Sequence, residues 1–242
     1  MNKTVLVTGS AKRIGRSIVV ELGRQGYDVV IHYRSSREEA EELAEELEGT
    51  GVSTWLERAD FEKEAELSGF IRRVEADVGT VNCLVNNASI FPGSDLSELT
   101  REQLERNIDV NAWAPFVLTR AFADRFDRGR VINILDTRIA GYDWNHVGYY
   151  FSKVLLARMT KMAAISFAPE FTVNAVAPGL ITPPAGMDES YLEERTERVP
   201  LRTYGESGDV AEAVEFLLRA DFITGQVIYV DGGRNLLHEL EG

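Results

Sequence analysis

The stretch from Lys3 to Arg16 reads KTVLVTGSAKRIGR and decides the fold of this 242-residue chain. Its first part, Thr4–Thr8, is an apolar run typical of a strand, and the remainder turns at Gly9 and continues as a helix. Glycine at position 9 permits a tight turn, and Gly15 lets the helix approach a ligand closely. Because free N–H groups at a helix N-terminus attract phosphate, the stretch predicts a dinucleotide site.

Composition and charge narrow the class of protein. The chain is 44% hydrophobic and 27% charged, which is ordinary for one globular domain, and its formal net charge is −13. This charge disfavours nucleic acid and anionic membranes as partners. No apolar run reaches the roughly 20 residues of a membrane span, and a strand begins at once, so we expect a cytoplasmic protein without a signal peptide. A lone Cys83 and three scattered histidines predict neither a disulfide nor a metal site.

Short runs rich in Val, Ile and Leu recur along the chain, separated by helical patterns. Such runs are typical of strands buried on both faces of a parallel sheet. The helix expected at Glu38–Glu48 has one apolar stripe and a glutamate-rich solvent face. We therefore predict a single doubly wound α/β domain of Rossmann type over residues 1–242, with a parallel seven-stranded sheet and helices on both faces. The expected strands are Thr4–Thr8, Asp28–Tyr33, Ser53–Arg58, Val81–Asn86, Arg130–Leu135, Thr172–Ala177 and Gln226–Val230.

The corner after the second strand discriminates between the two nicotinamide dinucleotides. A NAD site has a carboxylate there, whereas this chain has Arg34, Ser35 and Ser36. Arg34 can pair with a 2′-phosphate, and Arg13 in the glycine turn can close on the same group. This pattern favours NADP(H), with the alternative that both arginines are ordinary surface residues. Asp60, just past the third strand, can accept a hydrogen bond from the adenine amino group or simply end a turn.

Motifs further along the chain carry a resemblance to a known family. They are Thr8-Gly9, Asn86-Asn87-Ala88, Asn111, Tyr149-x-x-x-Lys153, Pro178-Gly179 and Val230-Asp231-Gly232-Gly233. In this order and spacing they resemble the short-chain dehydrogenase/reductase family over essentially the whole chain. The resemblance implies that Tyr149 donates a proton, that Lys153 holds the nicotinamide ribose and lowers the pKa of Tyr149, and that Asn111 supports a water-mediated proton relay.

The turns and the family resemblance together predict a set of cofactor contacts. An independent argument supports the Tyr149–Lys153 pair, because a phenol with a pKa of about 10 donates poorly near neutral pH unless a cation favours its ionised form. The predicted contacts are Gly9, Ser10, Arg13, Ile14, Gly15, Arg34, Ser35, Ser36, Asp60, Phe61, Asn87, Ala88, Ser89, Tyr149, Lys153, Pro178, Gly179 and Ile181.

Asp136 departs from the family pattern. Members that reduce ketones usually have a serine thirteen residues before the tyrosine, where its hydroxyl donates to the carbonyl, whereas this chain has Asp136 there. An ionised carboxylate cannot donate and would repel a developing alkoxide. The residue instead suits a nitrogen heterocycle whose ring nitrogen gains a proton from Tyr149 with help from Asp136, which indicates a C=N bond. The alternative is that Asp136 ends a strand and Thr137 takes the role of the serine.

Three segments, Thr8–Gly15, His32–Ser36 and Asn87–Phe91, are similar to the pteridine reductases, and Ala168–Arg234 looks similar to the bacterial dihydromonapterin/dihydrofolate reductase branch. In those proteins an aromatic ring of the third segment sandwiches the pterin against the nicotinamide. Phe91 fits that role, beside the alternative of simple loop packing. We expect residues 181–200 to form a lid that varies with the substrate. His146, three residues before Tyr149, is expected to face solvent, with the alternative that it approaches the pocket.

The predicted function is NADPH-dependent reduction of a C=N bond in a pterin-like substrate such as dihydromonapterin, dihydrobiopterin or dihydrofolate. Its predicted substrate contacts are Phe91, Asp136 and Tyr149. One alternative is an NADPH-dependent carbonyl reductase acting on a ketone, a sugar or a 3-oxoacyl thioester. A less favoured alternative is a nucleotide-binding regulator without catalysis. Because relatives commonly form tetramers through the helices that contain Asn111 and Lys153, we expect a homotetramer with a small-molecule substrate.

Overall fold

The strands follow the apolar runs of the sequence. The computed structural model describes residues 3–184 and 186–237, and within them seven parallel strands form a sheet in the order β3-β2-β1-β4-β5-β6-β7. The strands are β1 (Thr4–Val7), β2 (Asp28–Tyr33), β3 (Thr54–Arg58), β4 (Cys83–Asn86), β5 (Gly129–Ile134), β6 (Phe171–Pro178) and β7 (Val227–Val230). The predicted doubly wound α/β fold is confirmed.

Helices cover both faces of the sheet. They are α1 (Arg13–Arg24), α2 (Arg37–Leu47), α3 (Glu64–Ser68), α4 (Phe70–Val78), α5 (Arg101–Ile108), α6 (Ala114–Arg125), α7 (Val147–Ser166), α8 (Ser190–Glu193) and α9 (Ser207–Arg219). The helix predicted at Glu38–Glu48 is α2, displaced by one residue at each end.

Two hydrophobic cores lie on opposite sides of the sheet. Side chains alternate along a strand, so Val5 and Val7 of β1 pack into the core beneath α1, α2 and α9, while Leu6 packs into the core beneath α4 and α6. Large side chains such as Phe70 and Phe122 fill the second core and are fully buried. These cores fix the sheet between two helical layers and hold its strand ends in place.

The strand order places a crevice at the carboxyl end of β1. This strand pairs with β2 on one side and with β4 on the other, so the chain winds away from it in two directions. Ligands of doubly wound sheets bind at such a reversal, beyond the carboxyl ends of the strands. The glycine turn that follows β1 lies at this position.

One helix contains a wider turn. α5 continues through a π-helical turn at Asp109–Trp113 and then into α6. Asn111 lies within this turn and is fully buried. π-Turns of this kind are frequent at functional sites.

No helix within residues 3–184 and 186–237 is long and apolar enough to cross a membrane. The same residues contain no group of three or more His, Cys, Asp or Glu side chains arranged to hold a metal ion. Cys83 is a free, buried thiol in β4.

Candidate active site

The carboxyl ends of the strands border a large cleft with a volume of about 800 Å³. Its walls come from the segments that follow β1 to β7, together with α7. Most residues predicted to form the site line this cleft. They are Gly9, Arg13, Ile14, Gly15, Arg34, Ser35, Ser36, Asp60, Phe61, Asn87, Ala88, Ser89, Phe91, Asp136, Tyr149, Lys153, Pro178, Gly179 and Ile181.

Two predicted site residues lie behind the walls. Ser10 is fully buried, its hydroxyl donates to the Val7 carbonyl over 2.8 Å, and its backbone N–H donates to His32. Both of its donors are therefore engaged inside the protein, and Ser10 does not line the cleft. Asn111 is likewise fully buried and acts on the cleft through its neighbours.

The glycine turn is closely packed. Gly9 has a φ of +60°, and a Cβ atom at this position would lie 2.8 Å from the Cα of Ala88. A Cβ atom at Gly15 would lie 2.5 Å from the carbonyl oxygen of Gly9. The Asn87 amide donates to the carbonyls of Thr8 and Gly9, each over 2.9 Å. The turn thus brings the first residues of α1 against the cleft, where their N–H groups suit a pyrophosphate.

A buried histidine supports the turn, and the sequence analysis did not single it out. The Nδ1 atom of His32 accepts from the N–H of Gly9, and its ring stacks on Phe61 with the centroids 4.4 Å apart. Burial lowers the pKa of His32 to about 4, so the ring is neutral at physiological pH. Its position at the end of an apolar strand gave no signal that distinguishes it from a surface residue.

The predicted 2′-phosphate corner contains a carboxylate that sequence reasoning missed. Arg34 donates to Glu62 over 3.0 Å, and Arg106 donates to the same carboxylate over 2.9 Å. These two guanidinium groups lower the pKa of Glu62, with the bond from Arg106 as the largest effect. Arg34 therefore enters the cleft as one member of an exposed ion-pair cluster.

Arg13 binds the segment that follows β6. Its guanidinium donates to the hydroxyl of Thr182 and to the carbonyl of Pro183, each over 2.7 Å. Arg13 thus joins the glycine turn to the beginning of residues 181–200, the predicted lid. Within that segment Leu192 and Val199 pack against Leu180, while Ala185 lies outside the described residues.

Tyr149 and Asp136 meet at the centre of the cleft. The Tyr149 hydroxyl donates to Oδ2 of Asp136 over 3.0 Å. Arg138 orients this carboxylate, since its backbone N–H donates to Oδ1 over 2.8 Å and its guanidinium to Oδ2 over 3.0 Å. Thr137 instead donates its hydroxyl to Asp231 and is buried. Of the two candidates for the serine position, Asp136 is the one that faces Tyr149.

Burial shifts the pKa of both Tyr149 and Lys153, and the effect of Lys153 on the pKa of Tyr149 stays a prediction. Burial and the adjacent Asp136 raise the pKa of Tyr149 well above its usual range. Burial also lowers the pKa of Lys153 to about 8, and its ammonium donates to the Ile134 carbonyl over 2.8 Å. Its nitrogen lies 5.6 Å from the centre of the Tyr149 ring.

Asn111 holds the wall segment that leads to Phe91. Its side-chain oxygen accepts from the N–H of Ile90 over 2.8 Å and from the Ser89 hydroxyl over 3.0 Å. Its amide donates to the Ile90 carbonyl over 3.0 Å and to the Ser152 hydroxyl over 3.1 Å. One buried amide therefore joins the π-turn, the wall segment and α7.

Phe91 and His146 form an aromatic wall beside Tyr149. The rings of Phe91 and His146 stack with centroids 4.0 Å apart, and the edge contact between Phe91 and Tyr149 has a centroid distance of 4.6 Å. His146 also contacts Asp143 through its Nδ1 atom. The expectation that His146 faces solvent is wrong, because these two contacts hold its ring in the cleft wall.

The fold and the site together indicate the class of protein to which this chain belongs. A family model described as enoyl-(acyl carrier protein) reductase matches residues 9–235. The chain belongs to the short-chain dehydrogenase/reductase family, as its motifs predict. Among curated relatives, it is 35% identical to the 3-oxoacyl-[acyl-carrier-protein] reductase FabG of Staphylococcus epidermidis, over 96% of this chain and 99% of that protein.

Solved structures extend the comparison. FolM alternative dihydrofolate reductase 1 from Brucella canis, complexed with NADP, superposes with a TM-score of 0.92 at 31% identity and covers 97% of this chain and 94% of its own. A blue fluorescent protein from a metagenomic library, in complex with NADPH, has a TM-score of 0.87 at 34% identity and covers 96% of this chain and 97% of its own.

Proposed function

We propose that this protein reduces a C=N bond in a pterin-like ring. The chain is an oxidoreductase of the short-chain dehydrogenase/reductase family, which sets aside the non-catalytic alternative, and its cofactor is NADP(H). The observation that carries the pterin proposal is the 3.0 Å hydrogen bond between Tyr149 and Asp136. The likeness to FolM from Brucella, a dihydrofolate reductase by name, supports it further.

The cleft fits a dinucleotide on its own geometry. The packed turn at Gly9 and Gly15 leaves backbone N–H groups facing the space where a pyrophosphate would lie. Arg34, Ser35 and Ser36 would hold a 2′-phosphate, and Lys153 the nicotinamide ribose. When bound, NADPH supplies the hydride that reaches the carbon of the C=N bond.

Tyr149 and Asp136 would together supply the proton that the substrate nitrogen gains. A C=N bond that gains hydride at carbon must gain a proton at nitrogen. The Tyr149 hydroxyl holds a transferable proton, and its raised pKa keeps that proton in place at neutral pH. Asp136 accepts a hydrogen bond from the same hydroxyl, so the pair can share a proton and deliver it to the substrate nitrogen.

Phe91 would form one face of the ring-binding space. It lies against Tyr149 in edge contact and is 36% exposed, so part of the ring remains open to a flat ligand. Stacking on an aromatic face contributes roughly 0.5–1.5 kcal/mol beyond burial. This surface favours a planar heterocycle over a flexible acyl chain.

The rival function is carbonyl reduction, for example of a 3-oxoacyl thioester. It is supported by the 35% identity to FabG of Staphylococcus epidermidis. Against it, Thr137 donates to Asp231 and the position facing Tyr149 holds a carboxylate. A carbonyl oxygen that becomes negative would meet no second hydroxyl donor there.

The deciding experiment is NADPH oxidation by the purified protein with dihydromonapterin, dihydrobiopterin and dihydrofolate, beside simple ketones and a 3-oxoacyl thioester. We expect turnover of at least one pterin and a decrease of about 100-fold or more in Asp136→Ser, the usual scale for loss of an acid–base group. Asp124→Ser, an exposed change on α6, is the matched control. Ketone or thioester turnover without pterin turnover, improved by Asp136→Ser, would establish the rival.

We propose in addition that residues 181–200 act as a substrate lid and that the protein works in the cytoplasm as a homotetramer. The contact from Arg13 to Thr182 supports a lid linked to the cofactor turn. Exposed apolar side chains on α7, Phe151, Met162 and Ile165, support assembly through this helix. Sedimentation velocity would measure the assembly, and a monomer would contradict it.

A further inference from the structure

Two arginines from distant parts of the chain line the same cleft. Arg138 follows β5, and Arg234 begins a short turn after β7. The turns that carry them pack against each other and are tied together by the hydrogen bond from Thr137 to Asp231. Both arginines line the cleft together with Tyr191 of the proposed lid.

The two guanidinium groups differ in their partners. Arg138 donates to Asp136 over 3.0 Å and to Asp143 over 2.8 Å, and its guanidinium carbon lies 5.0 Å from the Phe91 ring centre. The side chain of Arg234 has no hydrogen-bond or ion-pair partner within residues 3–184 and 186–237. It is nevertheless only partly exposed. Arg138 is thus committed to the catalytic carboxylate, whereas Arg234 is available to a ligand.

Groups that act on Arg234 in opposite directions surround its guanidinium. Burial lowers the pKa of Arg234, and the charges of Arg138 and Arg198 act in the same direction, while Asp136 and Tyr191 oppose them. An arginine remains protonated in proteins, so this site keeps its charge. A partly buried cation without a partner is unfavourable, and a bound anion would remove that cost.

We propose that Arg234 binds an anionic group, a carboxylate or a phosphate, on the part of the substrate beyond the reducible ring. This inference rests on the proposed function, because it places the ring between Phe91 and the cofactor and the remaining part of the substrate near Arg234. A guanidinium offers paired N–H donors that match carboxylate and phosphate oxygens. Dihydrofolate carries such carboxylates on its glutamyl tail, whereas dihydrobiopterin and dihydromonapterin carry none. Arg234 would therefore favour a substrate with a charged tail.

The test compares two substrates in one variant. For the wild-type protein and Arg234→Gln, kcat/KM is measured with dihydrofolate and with dihydrobiopterin, and the ratio of the two values is the readout. We expect the ratio to fall about 10- to 100-fold in Arg234→Gln, as for loss of a charged hydrogen bond. Arg234→Lys keeps the charge without the planar fork and is expected to lose less. An equal ratio in wild type and Arg234→Gln would overturn the proposal.

Arg72→Gln is the matched control, since Arg72 is exposed on α4 and does not line the cleft. The melting temperature of each variant shows whether the fold is intact, and the substrate ratio is insensitive to the amount of active protein. A ratio that falls equally in Arg72→Gln would also contradict a specific role for Arg234.

A binding experiment separates this inference from the proposed function. If the wild-type protein reduces no pterin, the proposed function fails, and calorimetry on the NADP⁺-loaded protein decides the anion site. The probes are p-aminobenzoylglutamate for a carboxylate and coenzyme A for a phosphate. Binding of either that weakens at least about tenfold in Arg234→Gln supports the site and identifies its anion. Binding of neither, or binding that is equal in the variant, overturns it.

Discussion

The backbone N–H of Gly9 donates to Nδ1 of His32 over 2.9 Å, and Nε2 of the same ring lies 3.1 Å from the carbonyl oxygen of Ala59. The first contact requires an acceptor and the second a donor, which assigns the neutral tautomer with its proton on Nε2. A single imidazole therefore links the segments that follow β1 and β3 to β2. Protonation of His32 would place a second proton on the nitrogen that faces Gly9.

His32 is expected to make the protein less stable in mild acid. Its pKa is about 4 in the folded protein against 6.5 when exposed, so as pH falls through this window the unfolded chain takes up the proton first. The free energy of unfolding should fall by about 3 kcal/mol once the pH is well below 4. Denaturant unfolding at pH 7, 5.5 and 4.5 checks this. In His32→Gln the loss across the window should be smaller, and parallel curves for the two proteins would refute the assignment.

The ion pair between Arg34 and Glu62 is expected to compete with the 2′-phosphate. Replacing the carboxylate in Glu62→Gln frees the guanidinium, so the Kd for NADP⁺ should fall about two- to fivefold, the scale of an exposed ion pair. Arg34→Gln should raise the Kd for NADP⁺ about tenfold or more and that for NAD⁺ much less. Calorimetric titration measures both, with Glu64→Gln on α3 as the control. Weaker NADP⁺ binding in Glu62→Gln would show that this carboxylate positions Arg34 rather than competes for it.

Tyr149 is expected to stay protonated over the whole working range of pH. Burial and Asp136 raise the pKa of its hydroxyl, so no tyrosinate should form at this residue below about pH 10. The difference in tyrosinate absorbance between the wild-type protein and Tyr149→Phe isolates this one group from the other tyrosines. An increase in that absorbance difference near pH 7, without added cofactor, would show that the pKa of Tyr149 is lowered, as expected from Lys153.

Phe91→Ala is expected to raise KM for a pterin about two- to tenfold, because it removes the stacking surface, with a smaller effect on kcat. Phe91→Leu retains apolar bulk without an aromatic face and is the comparison variant. KM values from initial rates at saturating NADPH measure the effect. If Phe91→Leu matches the wild-type protein, the residue acts as ordinary packing.

Local patterns in the sequence were sufficient to predict the fold. The middle of β2, Val29–Ile31, is apolar because both faces of the strand are buried there, and the glycine turn after β1 has a spacing set by close backbone contacts. The positions of Tyr149 and Asp136 in the cleft followed from the same order of motifs. These features depend on residues close in sequence or on strand ends that the fold brings to one edge.

Contacts between side chains from separate segments could not be predicted from local sequence patterns. Thr137 bonds to Asp231, 94 residues away, and this contact turns it from the cleft. The pairing of Arg34 with Glu62 and the stacking of Phe91 on His146 also join separate segments. The direction of the Tyr149 pKa shift depends on burial and on the neighbouring Asp136, which a helical spacing of four residues to Lys153 cannot reveal. The sequence likewise did not show that Arg138 would pair with both Asp136 and Asp143.

The π-turn at Asp109–Trp113 constrains the length of the segment between α5 and α6. Deleting one residue there would restore ordinary α-helical spacing and remove the wider turn that sets the position of Asn111. Asn111 would then lose its alignment with Ile90 and Ser152. A turn such as residues 48–53, which is largely exposed, can gain or lose a residue at little cost. Insertions and deletions among descendants of this chain should therefore accumulate in such turns and be absent from the segment around Asn111.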